Sequence, residues 1–220
     1  MTIPTMLRLG GWCAAGSAIL LLAGQLYASL EYPTGDPTAE AMIAYHADHE
    51  DAIETGWLLL VPLGLLLMLL FVATLRAATA GVWSTFACYC GVLFVSLYFT
   101  AAVLASTPAS VFGFFEDAQD PDAVGVFVTA AASFHLTSFA VSLLAVGLAA
   151  ATMALAEIGL MGKRARIGLF ALAAITVPTS LLGFGVLPLC LMLFLFTWLM
   201  VRGASSARSP TARPAVAGAR

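Results

Sequence analysis

The sequence predicts an all-α, polytopic transmembrane helix bundle, and three observations carry that prediction. Of 220 residues, 61% are hydrophobic and only 10% are charged. Mean hydropathy is +1.00. The few charges are segregated, leaving long stretches with none. A soluble domain carries about 25% charged residues, and a disordered chain is poor in apolar ones. Nine Lys+Arg against twelve Asp+Glu make no basic face, which excludes nucleic acid as a partner. The lipid bilayer is the expected surroundings.

Charge-free intervals measure the immersed segments, because a bilayer core takes about 20 apolar helical residues and ions inside it are costly. Between Arg8 and Glu31 there are 22 uncharged residues, and between Glu54 and Arg76 there are 21. The intervals from Arg76 to Glu116, Asp122 to Glu157 and Arg166 to Arg202 hold 39, 34 and 35. The first interval has features of a signal peptide, but its length fits a retained helix. The last is long enough for one long helix or for a hairpin.

The sign of the flanking charges favours the hairpin. Arg8, Arg76, the Lys163-Arg164-Arg166 group and Arg202 with the following arginines mark the cytoplasmic side. Eleven acids occupy two other places, from Glu31 to Glu54 and from Glu116 to Asp122, where no basic residue occurs. Arg166 and Arg202 therefore lie on one side, with a bend at Gly183-Phe184-Gly185. The expected spans are about 9–30, 57–75, 82–106, 133–156, 167–182 and 186–201. Outer loops cover 31–56 and 107–122, and both termini are cytoplasmic. The whole of 1–202 forms a single bundle in the plasma (inner) membrane. Residues 203–220, rich in Ala, Ser, Pro and Arg, form a disordered basic tail that touches anionic lipid weakly.

Asp36-Pro37 and Asp120-Pro121 each pair a favoured N-cap with a favoured first helical residue. Helices two and four are accordingly expected to start outside the membrane, at Pro37 and Pro121, and to continue into it. Spans one and four are rich in small residues, which lets backbones approach closely, so they should be central. Span three is bulky and aromatic. Trp57, Trp83 and Trp198 fall near span ends, as interfacial anchors do. The four cysteines, Cys13, Cys88, Cys90 and Cys190, all sit in apolar helices and read as packing residues.

One polar constellation stands out. On a helical wheel at about 100° per residue, Met42, His46, His49 and Ile53 share a face. Glu40, Asp48, Asp51 and Glu54 lie opposite, with Glu50 at the edge. Three readings stay open. The histidines can mark a protein or headgroup boundary. They can hold a divalent metal, with His135 or Glu50 joining His46 and His49. They can sense pH beside the acids. No cofactor is expected beyond that divalent metal. A straight outer helix would put His46 about 16 Å above Trp57, and only a fold-back at Gly56 would bring His46 near His135.

Within the spans, polarity comes from Ser, Thr, Tyr, Trp and Cys, apart from His135 and Gln25. That lacks the ionisable path of a proton-coupled transporter and the paired histidines of an intramembrane haem. Ser138 and Ser142 beside His135 read as packing and back-bonding to carbonyls rather than a nucleophile and base. The chain is therefore expected to be no enzyme. It reads as a binding or sensing bundle with an outer acidic and histidine cap, working as a homo-oligomer or with a membrane partner protein. The alternative is a facilitator or channel for a small, weakly polar solute.

Arg8-Leu9-Gly10-Gly11, Tyr45-His46-Ala47-Asp48-His49 after Asp36-Pro37, and Gly56-Trp57 leading to Leu75-Arg76 give the chain a family likeness. It resembles a family of bacterial multi-pass membrane proteins of about this length, a domain of unknown function. The resemblance implies a six-helix plasma-membrane protein and brings no activity or catalytic residues.

Overall fold

A computed structural model describes residues 2–33, 38–114, 123–183 and 185–206, and these are helical with no strands. The helices in chain order are α1 (Ile3–Ala28), α2 (Ala39–Asp48), α3 (Glu50–Glu54), α4 (Val61–Ala78), α5 (Val82–Phe114), α6 (Ala123–Glu157), α7 (Lys163–Leu181) and α8 (Val186–Ser206). A π-helical turn, Thr55–Leu60, joins α3 to α4. Among the described residues, five segments are long and apolar enough to cross a membrane: Ile3–Ala28, Glu50–Ala78, Val82–Ser110, Gly125–Glu157 and Val186–Gly203. The remaining long helix, α7, carries Lys163, Arg164 and Arg166 in its first turns.

The helices are longer than the charge-free intervals because the backbone stays helical past the point where charge begins. Helix α1 starts at Ile3, with Pro4 in its first turn, and takes Arg8 inside. Helix α6 has 35 residues, on the order of 50 Å, well beyond a ~30 Å hydrocarbon core. Asp36-Pro37 and Asp120-Pro121 lie outside the described residues. The cap of α2 is Thr38, whose hydroxyl accepts from the Ala41 N–H at 3.3 Å.

Tight crossings bring the helices together. Helix α1 packs on α4 and α8, α5 on α4 and α6, and α7 on α6 and α8. Helices α1 and α6 are the most buried of the candidate spans, but each centres its own group rather than pairing with the other. One tight crossing joins α1 to the π turn. A Cβ on Gly56 would stand 2.6 Å from the Gly24 carbonyl oxygen and 2.6 Å from the Ala28 Cβ. Gly147 on α6 likewise faces the Cys90 Cβ of α5. Without a hydrophobic driving force in lipid, such backbone contact supplies the association. Aromatic α5 divides its residues. Phe94 and Tyr98 are buried, while Trp83, Phe86, Tyr89 and Phe99 face outward.

Helices α7 and α8 form a hairpin around a turn at 182–185, with Gly183 at φ +84°. The turn lies beside Phe134, whereas Leu160 covers Gly203 at the other end. Arg8, Arg76, Lys163 and Arg202 thus gather at one end of the bundle, with Glu157 among them near Gly81. Glu31, Glu40, Asp48, Glu50, Asp51 and Glu54 lie at the opposite end.

The expected continuous helix two is broken there. His49 (φ −120°, ψ 24°) ends α2 and starts α3. Seven residues past the end of α3, the Val61 N–H reaches back five residues to the Gly56 carbonyl. Pro62 follows at once. Its missing N–H and its ring disfavour a normal helical turn just before it, and the wider π turn accommodates both. The bends lay α2 across the acidic end of the bundle, in contact with α5 and α6.

Candidate functional site

The folded-over α2 roofs a cavity. One face of α2 and α3, carrying Met42, Tyr45, His46 and Ile53, is buried, and Glu40, Asp48 and Asp51 are exposed. Glu54 turns inward enough to accept a hydrogen bond from Ser110 Oγ of α5 at 2.9 Å. Tyr45 is the fastening. Its hydroxyl donates to the carbonyl of Ala28 at the end of α1. Its ring stacks on His49 at 4.9 Å and meets Tyr32 and His46 edge-on at 5.2 and 5.3 Å.

Beneath this roof lies a cavity of about 190 Å³. Gln25, Ala28 and Ser29 of α1 and Tyr32 form one wall, and Tyr45, His46, Ile53 and Trp57 form the roof and shoulder. Helices α5 and α6 supply Ala105, Pro108, Ser133, Phe134, Thr137, Ser138 and Val141, and the hairpin turn supplies Ser180, Gly183, Gly185 and Val186. Trp57, expected as an interfacial anchor, is a half-buried wall residue 6.4 Å from the Tyr98 ring. His46 and Trp57 therefore share one small space rather than standing a helix-length apart.

Hydrogen bonding sorts the polar lining. Ser133 donates to the Ala101 carbonyl at 2.8 Å, Ser138 to the Ser180 carbonyl at 2.8 Å, and Ser180 to the Val177 carbonyl at 2.7 Å. Those hydroxyl protons are engaged. Ser142 back-bonds to the Ser138 carbonyl at 2.9 Å. The Gln25 carboxamide and the Thr137 hydroxyl have no hydrogen-bond partner among the described residues. His46 Nδ1–H donates to the Met42 carbonyl at 2.8 Å, which leaves Nε2 as an acceptor in the neutral ring.

The roof is uncharged near neutral pH. Burial holds the His46 imidazole below its usual pKa, opposed by its bond to the Met42 carbonyl. Burial also pushes the Tyr45 hydroxyl up to about 12, with Tyr32 adding to it.

The four residues singled out in the sequence are dispersed. His46 lines the cavity. His49 donates through Nδ1 to the Tyr45 carbonyl at 3.1 Å, and its Nε2 lies 3.3 Å from Glu31 at the surface. Glu50 is half-buried in the first turn of α3, away from the lining. His135 is exposed on α6, edge-on to Phe134 at 5.6 Å. Among the described residues, no three His, Cys, Asp or Glu side chains converge to hold a metal ion. Tyr45, Gln25 and Thr137 were not singled out. Gln25 was visible as the one carboxamide within an apolar span; Tyr45 gave no local signal, since its partner lies on another helix.

The His46 environment sets a pH dependence. Protonation is disfavoured in the closed, buried state relative to an open one, whose histidine titrates near 6.5. Closure of α2 is therefore fully favoured above about pH 6.5 and weakens as pH falls through it. Hydrogen exchange across 39–48, corrected for intrinsic rates, should speed up at pH 5 relative to pH 7.5. His46→Gln should abolish that difference, and His49→Ala, which removes the contact with Glu31, is the control. Equal protection at both pH values in the unmodified protein would refute the assignment.

Comparison with protein-family models, with curated proteins and with solved structures finds no match for this chain.

Proposed function

We propose that this chain is a multi-pass plasma-membrane protein with six spans and cytoplasmic termini, and that it is a non-enzymatic binding or sensing bundle. The topology is supported by the α7–α8 hairpin and by the gathering of basic side chains at one end, which Lys and Arg bias towards the cytoplasm. Helix α7 crosses as the fifth of the six spans, its basic first turn at headgroup level.

The observation that carries the function is the roofed cavity with unspent polar groups. Trp57, Phe134 and Tyr45 offer aromatic surface, Gln25 and Thr137 offer uncommitted hydrogen-bonding groups, and the His46 ring offers an acceptor. Among the described residues, no charged side chain lines it at neutral pH. The ligand it suits is a small, uncharged molecule with an apolar body and one or two polar groups, entering when α2 lifts. Binding is favoured over passage because Phe71, Phe94, Tyr98 and Phe196 fill the bundle interior with buried rings.

The test is a panel of uncharged aromatic alcohols and amides, read by thermal shift and native mass spectrometry of the detergent-purified protein. A ligand of the folded state raises its stability in proportion to the logarithm of concentration. Thr137→Trp fills part of the cavity and should weaken each hit by roughly tenfold or more, with helicity unchanged. Hits that bind the filled variant equally well would sink the cavity reading.

A further inference from the structure

At the opposite end of the bundle, a second concavity lies between α7 and α8. Lys163, Arg164 and Arg202 line it with Trp198, and no acidic side chain is among its lining residues. The Arg202 guanidinium sits 5.0 Å over the Trp198 ring. The floor is Gly159 and Gly162, and a Cβ on either would meet nothing within 4 Å. Gly162 has φ −75° and ψ 162°, a conformation open to any residue, so it is the space above it, not the backbone, that its missing side chain leaves clear. Ile167 on α7, one helical turn from Lys163 and Arg164, and Leu195 on α8, two turns from Arg202, are exposed and apolar, and Trp198 is exposed between Leu195 and Arg202.

We propose that this cleft seats the headgroup of an anionic phospholipid. The phosphate lies among Lys163, Arg164 and Arg202, where the guanidinium forks and the ammonium donate to its oxygens. The acyl chains descend over Trp198, Ile167 and Leu195. An ion that stays in water would need the cations alone; the adjoining exposed apolar stripe is what matches a molecule with a charged head and a hydrocarbon body. The first N–H groups of α7 open at Gly162 without a side-chain cap, which adds to the attraction for negative charge. The inference rests on the bilayer placement of α7 and α8 and is independent of the cavity at the acidic end.

The experiment uses the full chain with Trp12, Trp57 and Trp83 replaced by Phe, so that Trp198 alone reports. It is reconstituted in phosphatidylcholine vesicles containing a small fraction of brominated phosphatidylglycerol or brominated phosphatidylcholine. The expected result is preferential quenching by the anionic lipid, an enrichment on the order of tenfold at low salt for three cations, diminished by salt. Lys163→Gln/Arg164→Gln/Arg202→Gln should abolish the preference. Gly162→Leu keeps every charge, occupies the floor and should reduce it several-fold, so loss of folding in one variant leaves the other to decide. Equal quenching by the two lipids, or a preference that survives both variants in flotation-competent protein, overturns the proposal. Displacement of the lipid by inorganic phosphate at millimolar concentration would assign the cleft to a free anion and overturn it too. Protein that fails to float with vesicles would instead overturn the bilayer placement.

Discussion

Gly56→Val is expected to destabilise the bundle by on the order of 3 kcal/mol, at the upper end of the overpacking range. The new side chain would meet the Gly24 carbonyl oxygen and the Ala28 Cβ at 2.6 Å each, before its methyl groups are counted. Both obstacles belong to α1 backbone or lie one bond from it, so no rotamer change relieves them. The helices must separate, and dispersion contact along the crossing falls steeply with even a small gap. The consequence is not confined to packing. Ala28 also provides the carbonyl that holds Tyr45, so moving α1 away from the π turn loosens the roof of the cavity. Thermal denaturation in detergent should show a lower midpoint, and hydrogen exchange should rise across both 20–28 and 39–54. Gly168→Ala is the matched control. That glycine lies in α7 with open space around it, so alanine should stabilise by about 0.5–1 kcal/mol. A Gly56→Val protein as stable as the parent would show that the crossing is looser than the structure has it.

The contrast between these two glycines shows what a single sequence reveals and what it withholds. Membrane immersion follows from energetics local to each stretch: hydrocarbon excludes ions, so gaps between charges mark helices, and the bend at 182–185 falls where charge sign requires a return. Helix ends moved outward because backbone hydrogen bonding continues past the last apolar residue, as α1 does through Arg8. Gly56 and Gly168 look alike in sequence, and only the partner helix distinguishes a contact from open space. The same holds at the acidic end. The wheel that placed Met42, His46, His49 and Ile53 on one face needed only helical periodicity, and of these four His49 alone is left half-buried, turned to Glu31 at the surface. A straight helix was the wrong path for that face, because His49 carries no breaker signal and the π turn depends on Gly56 and Pro62 acting together. Ser138 reads in the sequence as an ordinary helix-packing residue; the fold sets it, with Ser133 and Thr137, in a cavity by laying α2 across it. The site's residues come from six separate stretches of chain, so their convergence is a tertiary property.

Tyr45→Ala should have the other large effect, and it should be local. The ring is buried and contacts Tyr32, His46 and His49. Truncating a buried aromatic to alanine costs about 3–5 kcal/mol. In this position the loss falls on closure of α2, because Tyr45 packs with Ile53 and with Ala109 of α5 beneath the roof and takes no part in the main core of the bundle. Exchange protection from 39 to 54 should collapse while protection in α4 to α8 stays near its original level. Tyr45→Phe separates the two parts of the interaction. It keeps the ring stack and removes the donor to Ala28, a bond whose net worth is about 1 kcal/mol, so its roof should be only modestly more open. The order of ligand affinity should follow the order of closure, with the parent tightest, the phenylalanine variant next and the alanine variant weakest, because an open roof exposes the cavity to water and removes one aromatic wall. A Tyr45→Ala protein that retains both protection and affinity would mean that α2 is held by its neighbours' backbone alone, and the roof would then be a fixed lid with no part in admitting a ligand.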